Sequence, residues 1–265
     1  MFTDRLHQKK LFNARDMGGM PTADGKKIKP NKLIRSGKIS KLPEDTVAFL
    51  QDIGVKHVVD LRIFTETEDH PDTQIPNAEH HHLPLLCTAT AGITREKSMR
   101  ITMAKEARRI KSEFGSVDNY MIAMYKQILF GEQPQKALKE FFQIFAHNDG
   151  CLLWHCSGGK DRTGMVAMLV AGILGVDEQT IINDYCISQK FQRKNFFIKR
   201  FGLHIAPLAP TFKGILFGMM NSKRLYIESA INAVKEKFGS FENYAIEHLG
   251  LTKAEIQSAR EYYLE

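Results

Sequence analysis

No stretch of this sequence approaches the roughly 20 consecutive apolar residues of a membrane-spanning helix, so no transmembrane segment is expected. Cysteine is scarce. Cys87, Cys151, Cys156 and Cys186 are irregularly spaced, which argues against a disulfide framework or a paired-cysteine metal site. Histidine shows no ligand spacing either. His80, His81 and His82 are consecutive and on a strand would point to alternating faces, so neither metal nor cofactor is expected. The first ten residues lack the apolar core of a signal peptide, from which a cytoplasmic location is expected, with secretion left open. There is no acidic excess. The net charge of +7 favours anionic ligands, but basic residues are interspersed with acids and no nucleic-acid-binding module is legible, so nucleic acid is not expected as a partner.

What is present is an ordinary globular composition, 43% hydrophobic and 25% charged, over 265 residues. That length suits one domain spanning 1–265 with a sizeable core. Its focus is His155-Cys156-Ser157-Gly158-Gly159-Lys160-Asp161-Arg162-Thr163-Gly164. The apolar run Cys151 to Trp154 before it reads as a buried strand, and the apolar stretch Met165 to Leu174 after it as a helix. A small-residue loop at that junction can turn successive N–H groups inward, and the helix adds unpaired donors and a partial positive charge. Gly158 and Gly159 are expected to supply positive φ angles and room for phosphate oxygens. Ser157, Gly158, Gly159, Lys160, Asp161 and Arg162 are thus the candidate binding residues. Cys156 is the candidate nucleophile, because a helix terminus and a neighbouring guanidinium both favour a thiolate. Arg162 has the planar fork to grip two phosphate oxygens. His155 is expected to brace the cysteine by hydrogen bonding, and Thr163 to give its hydroxyl to the sulfur.

The string HCSGGKDRTG resembles the signature of the tyrosine and dual-specificity phosphatases, and in its fuller form one bacterial branch of them. The resemblance implies a metal-independent phosphatase that takes a phosphoprotein, or alternatively a phosphoinositide, and releases inorganic phosphate through a phosphocysteine. It also implies an α/β fold with a central, mostly parallel sheet and flanking helices. A phosphate-binding pseudo-enzyme and a sulfurtransferase are the remaining alternatives. A G-x-x-x-x-G-K-[ST] nucleotide loop does not fit, since Trp154 stands at its first glycine and Asp161 follows the lysine.

Other stretches extend the likeness. Asn13-Ala-Arg-Asp-Met-Gly-Gly resembles an amino-terminal family element, which would place Arg15 and Asp16 beside the loop; Asp16 equally suits capping a turn. Lys32 to Gly37 resembles a strand ending in R-S-G, with Arg35 facing either the site or solvent. Val55 to Asp60 reads as a strand ending in Asp60-Leu61-Arg62, with Glu66 following, again as in the family. A carboxylate at a strand's carboxyl end sits on the rim where α/β proteins bind ligands, so Asp60 is a candidate catalytic residue or an ion-pair partner of Arg62 or Arg162. Asp161 and Asp60 are the two candidates for the proton donor; capping of the helix or pairing with Lys160 is the alternative role for Asp161.

Residues 86–115 read as an insertion. Arg95 to Lys111 holds seven basic and two acidic residues, and Met99, Met103, Ala107, Ile110 and Phe114 recur at helical spacing. A helical lid with an apolar packing face is expected there. The tail from 190 to 265 reads as a helical extension, with Lys190, Arg193, Lys194, Lys199 and Arg200 between Phe191, Phe196, Phe197 and Phe201.

Overall fold

The computed structural model describes residues 6–86, 108–191, 214 and 217–265. Five strands form one sheet: β1 Arg15–Asp16, β2 Leu33–Ser36, β3 Val55–Asp60, β4 Glu79–His82 and β5 Cys151–His155. Their order is β1-β2-β5-β3-β4, parallel throughout except for the antiparallel β1–β2 pair. The loop strand is therefore central. Its residues alternate between two cores: Leu152 and Trp154 face one, Cys151 and Leu153 the other, which is why the run is apolar throughout.

Helices cover both faces unequally. Helix α1, Glu44–Asp52, starts with Glu44 and Asp45 in its first turn and ends before Gly54 at φ +76°; its Leu50 packs into the smaller core. The short helix α2, Phe64–Asp69, follows β3. The larger core takes α3 Val117–Phe130, α4 Glu132–His147, α5 Asp161–Ile173, α6 Glu178–Phe191 and α7 Arg224–Phe238. Ser116 caps α3 by accepting from the Asn119 N–H, as its residue type suggested. Helix α5 is buried on nearly all sides, packing against β2, β5 and α6, so its sequence carries no polar face.

The chain ends in α8 Phe241–Asn243, a π-helical turn Tyr244–Leu249 and α9 Lys253–Tyr263. These elements share the larger core, burying Tyr244 and Tyr263, and Glu265 exchanges backbone hydrogen bonds with Lys27. They pack into the same core as the helices on the sheet. Of the expected lid, Met99, Met103 and Ala107 lie outside the described residues. Residues 108–114 are helical, with Ile110 fully buried and Phe114 packed edge-on against Tyr120. Of the basic-aromatic run, 192–201 also lies outside them. No helix among the described residues is long and apolar enough to cross a membrane.

Candidate active site

The loop hangs between β5 and α5 at the carboxyl ends of the parallel strands. The left-handed conformation falls on Gly159 (φ +63°) and not on Gly158. A Cβ at Gly159 would lie 2.6 Å from the Ser36 carbonyl carbon and the Gly37 nitrogen, so glycine is required twice over, by conformation and by contact.

Cys156 is 2% exposed, and its environment favours the thiolate. Burial alone would raise the thiol, but the Arg162 charge and hydrogen bonds from the Thr163 hydroxyl and N–H outweigh it and hold Cys156 below its ordinary value. The other described cysteines behave oppositely: burial pushes Cys151 and Cys186 up.

Arg162 is fully buried, and one edge of its fork is held by Glu66. Arg162 Nη1 donates to Glu66 Oε2 at 2.6 Å and Nη2 to Oε1 at 3.1 Å, while the Ser157 hydroxyl donates to Oε1 at 2.6 Å. Glu66, itself 1% exposed, ties the start of the loop to its end. Such bidentate, charge-assisted geometry fixes the plane of a guanidinium.

Beneath the loop a second network holds its carbonyls. Asn13 Nδ2 donates to the carbonyls of Gly158 (3.1 Å) and Gly159 (2.7 Å), and Arg35 Nη2 to Gly159 (3.2 Å). Arg15 orients Asn13 through Nη1 to Oδ1 at 2.9 Å, and Asp184 joins Arg15 (2.6 Å) to Arg35. Burial disfavours the Asp184 anion, yet the charges of Arg15 and Arg35 keep its carboxyl below the ordinary range. Tethering Gly158 and Gly159 by their oxygens leaves the opposite edges of those peptides for a ligand. Arg15 and Arg35 thus face the interior under the loop. Asp16 does not: it accepts from the N–H of Gly18 (2.8 Å) and Asn31 (2.6 Å) and stabilises a turn.

One expectation is corrected on the far side. His155 does not brace the cysteine. Its Nε2 hydrogen-bonds Asp72 at 2.7 Å and its Nδ1 lies 3.9 Å from Asp60, so the ring bridges acids. Burial opposes its protonation, but Asp72 and Asp60 prevail and raise it above its ordinary value. Asp60 in turn is held by Arg62, which donates to its two oxygens at 2.8 and 2.7 Å and reaches Asp72 at 2.7 Å. Burial would raise the Asp60 carboxyl, yet the His155 and Arg62 charges hold it far below the usual range. The four groups form a closed ion-pair ring.

Asp161 sits at the first turn of α5 and is 5% exposed. Tyr125 donates to its Oδ1 at 2.5 Å, and Tyr185 lies 2.6 Å from the Tyr125 oxygen. Burial and Asp161 raise Tyr125 well above its ordinary value, so it remains a phenol and a donor. Lys160 Nζ is 3.4 Å from Asp161 Oδ1 but donates to the carbonyls of Met219 (2.7 Å) and Asn221 (3.0 Å).

Sequence reasoning missed Asp72, Tyr125, Asp184 and Tyr185, which come from three separate places, the loop after α2, helix α3 and helix α6, with no motif of their own. Asn13 and Glu66 stood inside quoted family-like stretches without a role.

A thiol biased to its anion, in a glycine loop closed by a carboxylate-braced arginine at a strand-to-helix junction, defines the class of cysteine-based phosphatases. The chain belongs to the tyrosine phosphatase family, whose model matches residues 6–265. It is 26% identical over 268 residues to the triple specificity protein phosphatase PtpB of Mycobacterium tuberculosis, covering 94% of this chain and 95% of that one. A protein of Cupriavidus necator that carries a provisional tyrosine-protein phosphatase name is 26% identical over 252 residues, 93% of this chain and 85% of its own length. A tyrosine-protein phosphatase of Nostoc commune is 28% identical over 172 residues, 64% of this chain and 53% of that one.

Proposed function

We propose that the protein hydrolyses phosphotyrosine through a phosphocysteine on Cys156. The observation that carries this is the placement of buried Cys156 at the head of a glycine loop closed by Arg162, whose guanidinium Glu66 holds at 2.6 and 3.1 Å. In the first step the sulfur attacks phosphorus and the bond to the tyrosyl oxygen breaks. Loop N–H groups and the Nε-bearing edge of Arg162 hold the phosphoryl oxygens, and Glu66 fixes that edge's direction. The tyrosyl oxygen takes a proton from Asp161. Tyr125 and Lys160 both lie against Oδ1, which leaves Oδ2 to carry the proton. Water then attacks the phosphocysteine, giving up a proton to Asp161, and the thiolate departs with help from the Thr163 hydrogen bonds. Asp60 acts as a positioning residue: paired with Arg62 and His155, it is ionised and committed.

Phosphotyrosine is favoured over a phosphoinositide for two reasons. Lys160, the extra cation that a polyphosphorylated headgroup would use, is directed to two backbone carbonyls. Phe12 (50% exposed) and Phe64 (69%) are exposed aromatics in the very segments that touch the loop, through Asn13 and Glu66. Apolar side chains of that kind suit a flat phenyl ring.

Phosphate release from a phosphotyrosyl peptide and from phosphoinositide vesicles, with EDTA present, tests the reading. Turnover of the peptide that vanishes in Cys156→Ser is expected, and turnover surviving that substitution would refute it. For Asp161→Asn the loss should be larger with a poor leaving group than with p-nitrophenol; equal losses would remove Asp161 as the proton donor.

A further inference from the structure

The histidines that are uninformative as a sequence triplet meet a fourth across two strands. His57 of β3 lies opposite Glu79 of β4 in parallel register, and His81, two residues beyond Glu79, returns to the same face. His57 Nδ1 and His81 Nε2 are 3.1 Å apart. Glu79 Oε2 is 3.6 Å from the first nitrogen and 3.7 Å from the second. Ligands held at about 2.0–2.2 Å around one ion at near-tetrahedral angles stand about 3.3–3.6 Å from one another, so the triangle is within a few tenths of an ångström of a coordination face. The other two histidines of the triplet are engaged elsewhere. His80 Nε2 accepts from the Ile75 N–H, and His82 Nε2 lies 2.8 Å from the Arg62 carbonyl.

We propose that His57, Glu79 and His81 form a binding site for a borderline divalent transition-metal ion, with Zn²⁺ the expected occupant and water in the fourth position. Two imidazoles and one carboxylate are a donor set suited to such an ion and poorly suited to Mg²⁺ or Ca²⁺, which take oxygen. The imidazoles are about one-fifth exposed and the carboxylate 76%, so an ion has an entry path from solvent. The contrast with Asp60, Asp72 and His155 is instructive. Those donors also converge, but Arg62 already neutralises the two acids, and a cation there would face its guanidinium. An ion on His57, Glu79 and His81 would join edge strand β4 to β3 three residues before Asp60. It would add stability by mass action without entering the phosphatase chemistry.

The test is calorimetric titration of Zn²⁺ into the full chain carrying Cys156→Ser, which removes the one described thiol poised to compete as a thiolate. One ion per chain is expected, with an upward shift in the unfolding temperature. In that background His81→Ala should weaken binding by at least the roughly 10–100-fold that loss of a mere outer-shell partner costs. Glu79→Gln, at an exposed position that cannot disturb the core, should weaken it as well and abolish the thermal shift. No saturable binding by the parent, or the same stoichiometry and affinity in both variants, would overturn the proposal and leave an ordinary imidazole–imidazole hydrogen bond.

Discussion

Glu66→Gln separates the loop's architecture from its chemistry. The carboxylate receives two charge-assisted hydrogen bonds from Arg162 and one from the Ser157 hydroxyl, and neither Glu66 nor Arg162 is open to solvent. Glutamine keeps the shape but turns one acceptor into an amide that must face a guanidinium or a hydroxyl. Leaving a buried charge without its partner costs about 3–5 kcal/mol, and water cannot replace what is lost. Unfolding in urea should therefore show a destabilisation of that size, against about 1 kcal/mol for Ser157→Ala, which removes a single neutral donor. Activity should fall too. A guanidinium displaced by about 1 Å costs about 100-fold in kcat/KM. The thiol responds in the opposite sense: with Glu66 neutral, the Arg162 charge acts undiminished on Cys156, so its pKa falls further and alkylation at acidic pH accelerates. Faster alkylation together with slower turnover is a pattern that general loosening would not produce. Unchanged stability and unchanged kcat/KM would show that Arg162 is positioned by something other than Glu66.

Iodoacetamide at neutral pH should label Cys156 well ahead of Cys151 and Cys186, whose thiols burial pushes up; equal labelling of the three, read by peptide mass, would refute the proposed thiolate. Asp184→Asn leaves Arg15 and Arg35 facing each other without their shared anion, at a cost of about 3–5 kcal/mol in urea unfolding. Because the folded Asp184 carboxyl lies below its ordinary value, that contribution is present above about pH 4 and disappears as pH falls through the lower folded value. His155 has the reverse sign. Raised by Asp72 and Asp60, its proton stabilises the fold fully below about pH 6.5 and the contribution is lost as pH rises through the higher folded value. The stability difference between wild type and His155→Asn should accordingly shrink as pH rises above about 6.5, and a flat difference would sink the ion-pair ring.

Strand β5, its loop and the following helix were legible because each rests on local rules. A wholly apolar run suits a central parallel strand, glycine permits the turn at φ +63°, and the helix terminus follows in sequence. Cys156, Arg162 and Thr163 lie within eight residues of one another, so their meeting needs no knowledge of the rest of the chain. The capping of α3 by Ser116 is local in the same way. The supporting groups are not. Asp184 reaches Arg15 from 169 residues away and Tyr125 reaches Asp161 from 36, and no periodicity encodes such distances.

Local sequence thus determined the strand, loop and helix that bring Cys156, Arg162 and Thr163 together. Tertiary packing decided the charge states. Burial strips solvent from Arg162, Asp60 and His155, and each then takes the ionisation that its nearest fixed partner imposes, Glu66, Arg62 or Asp72. The same holds for the histidines: spacing along β4 sets them on opposite faces, and only the pairing of β4 with β3 brings His57 to His81, because parallel register joins residues that the chain itself keeps 24 apart.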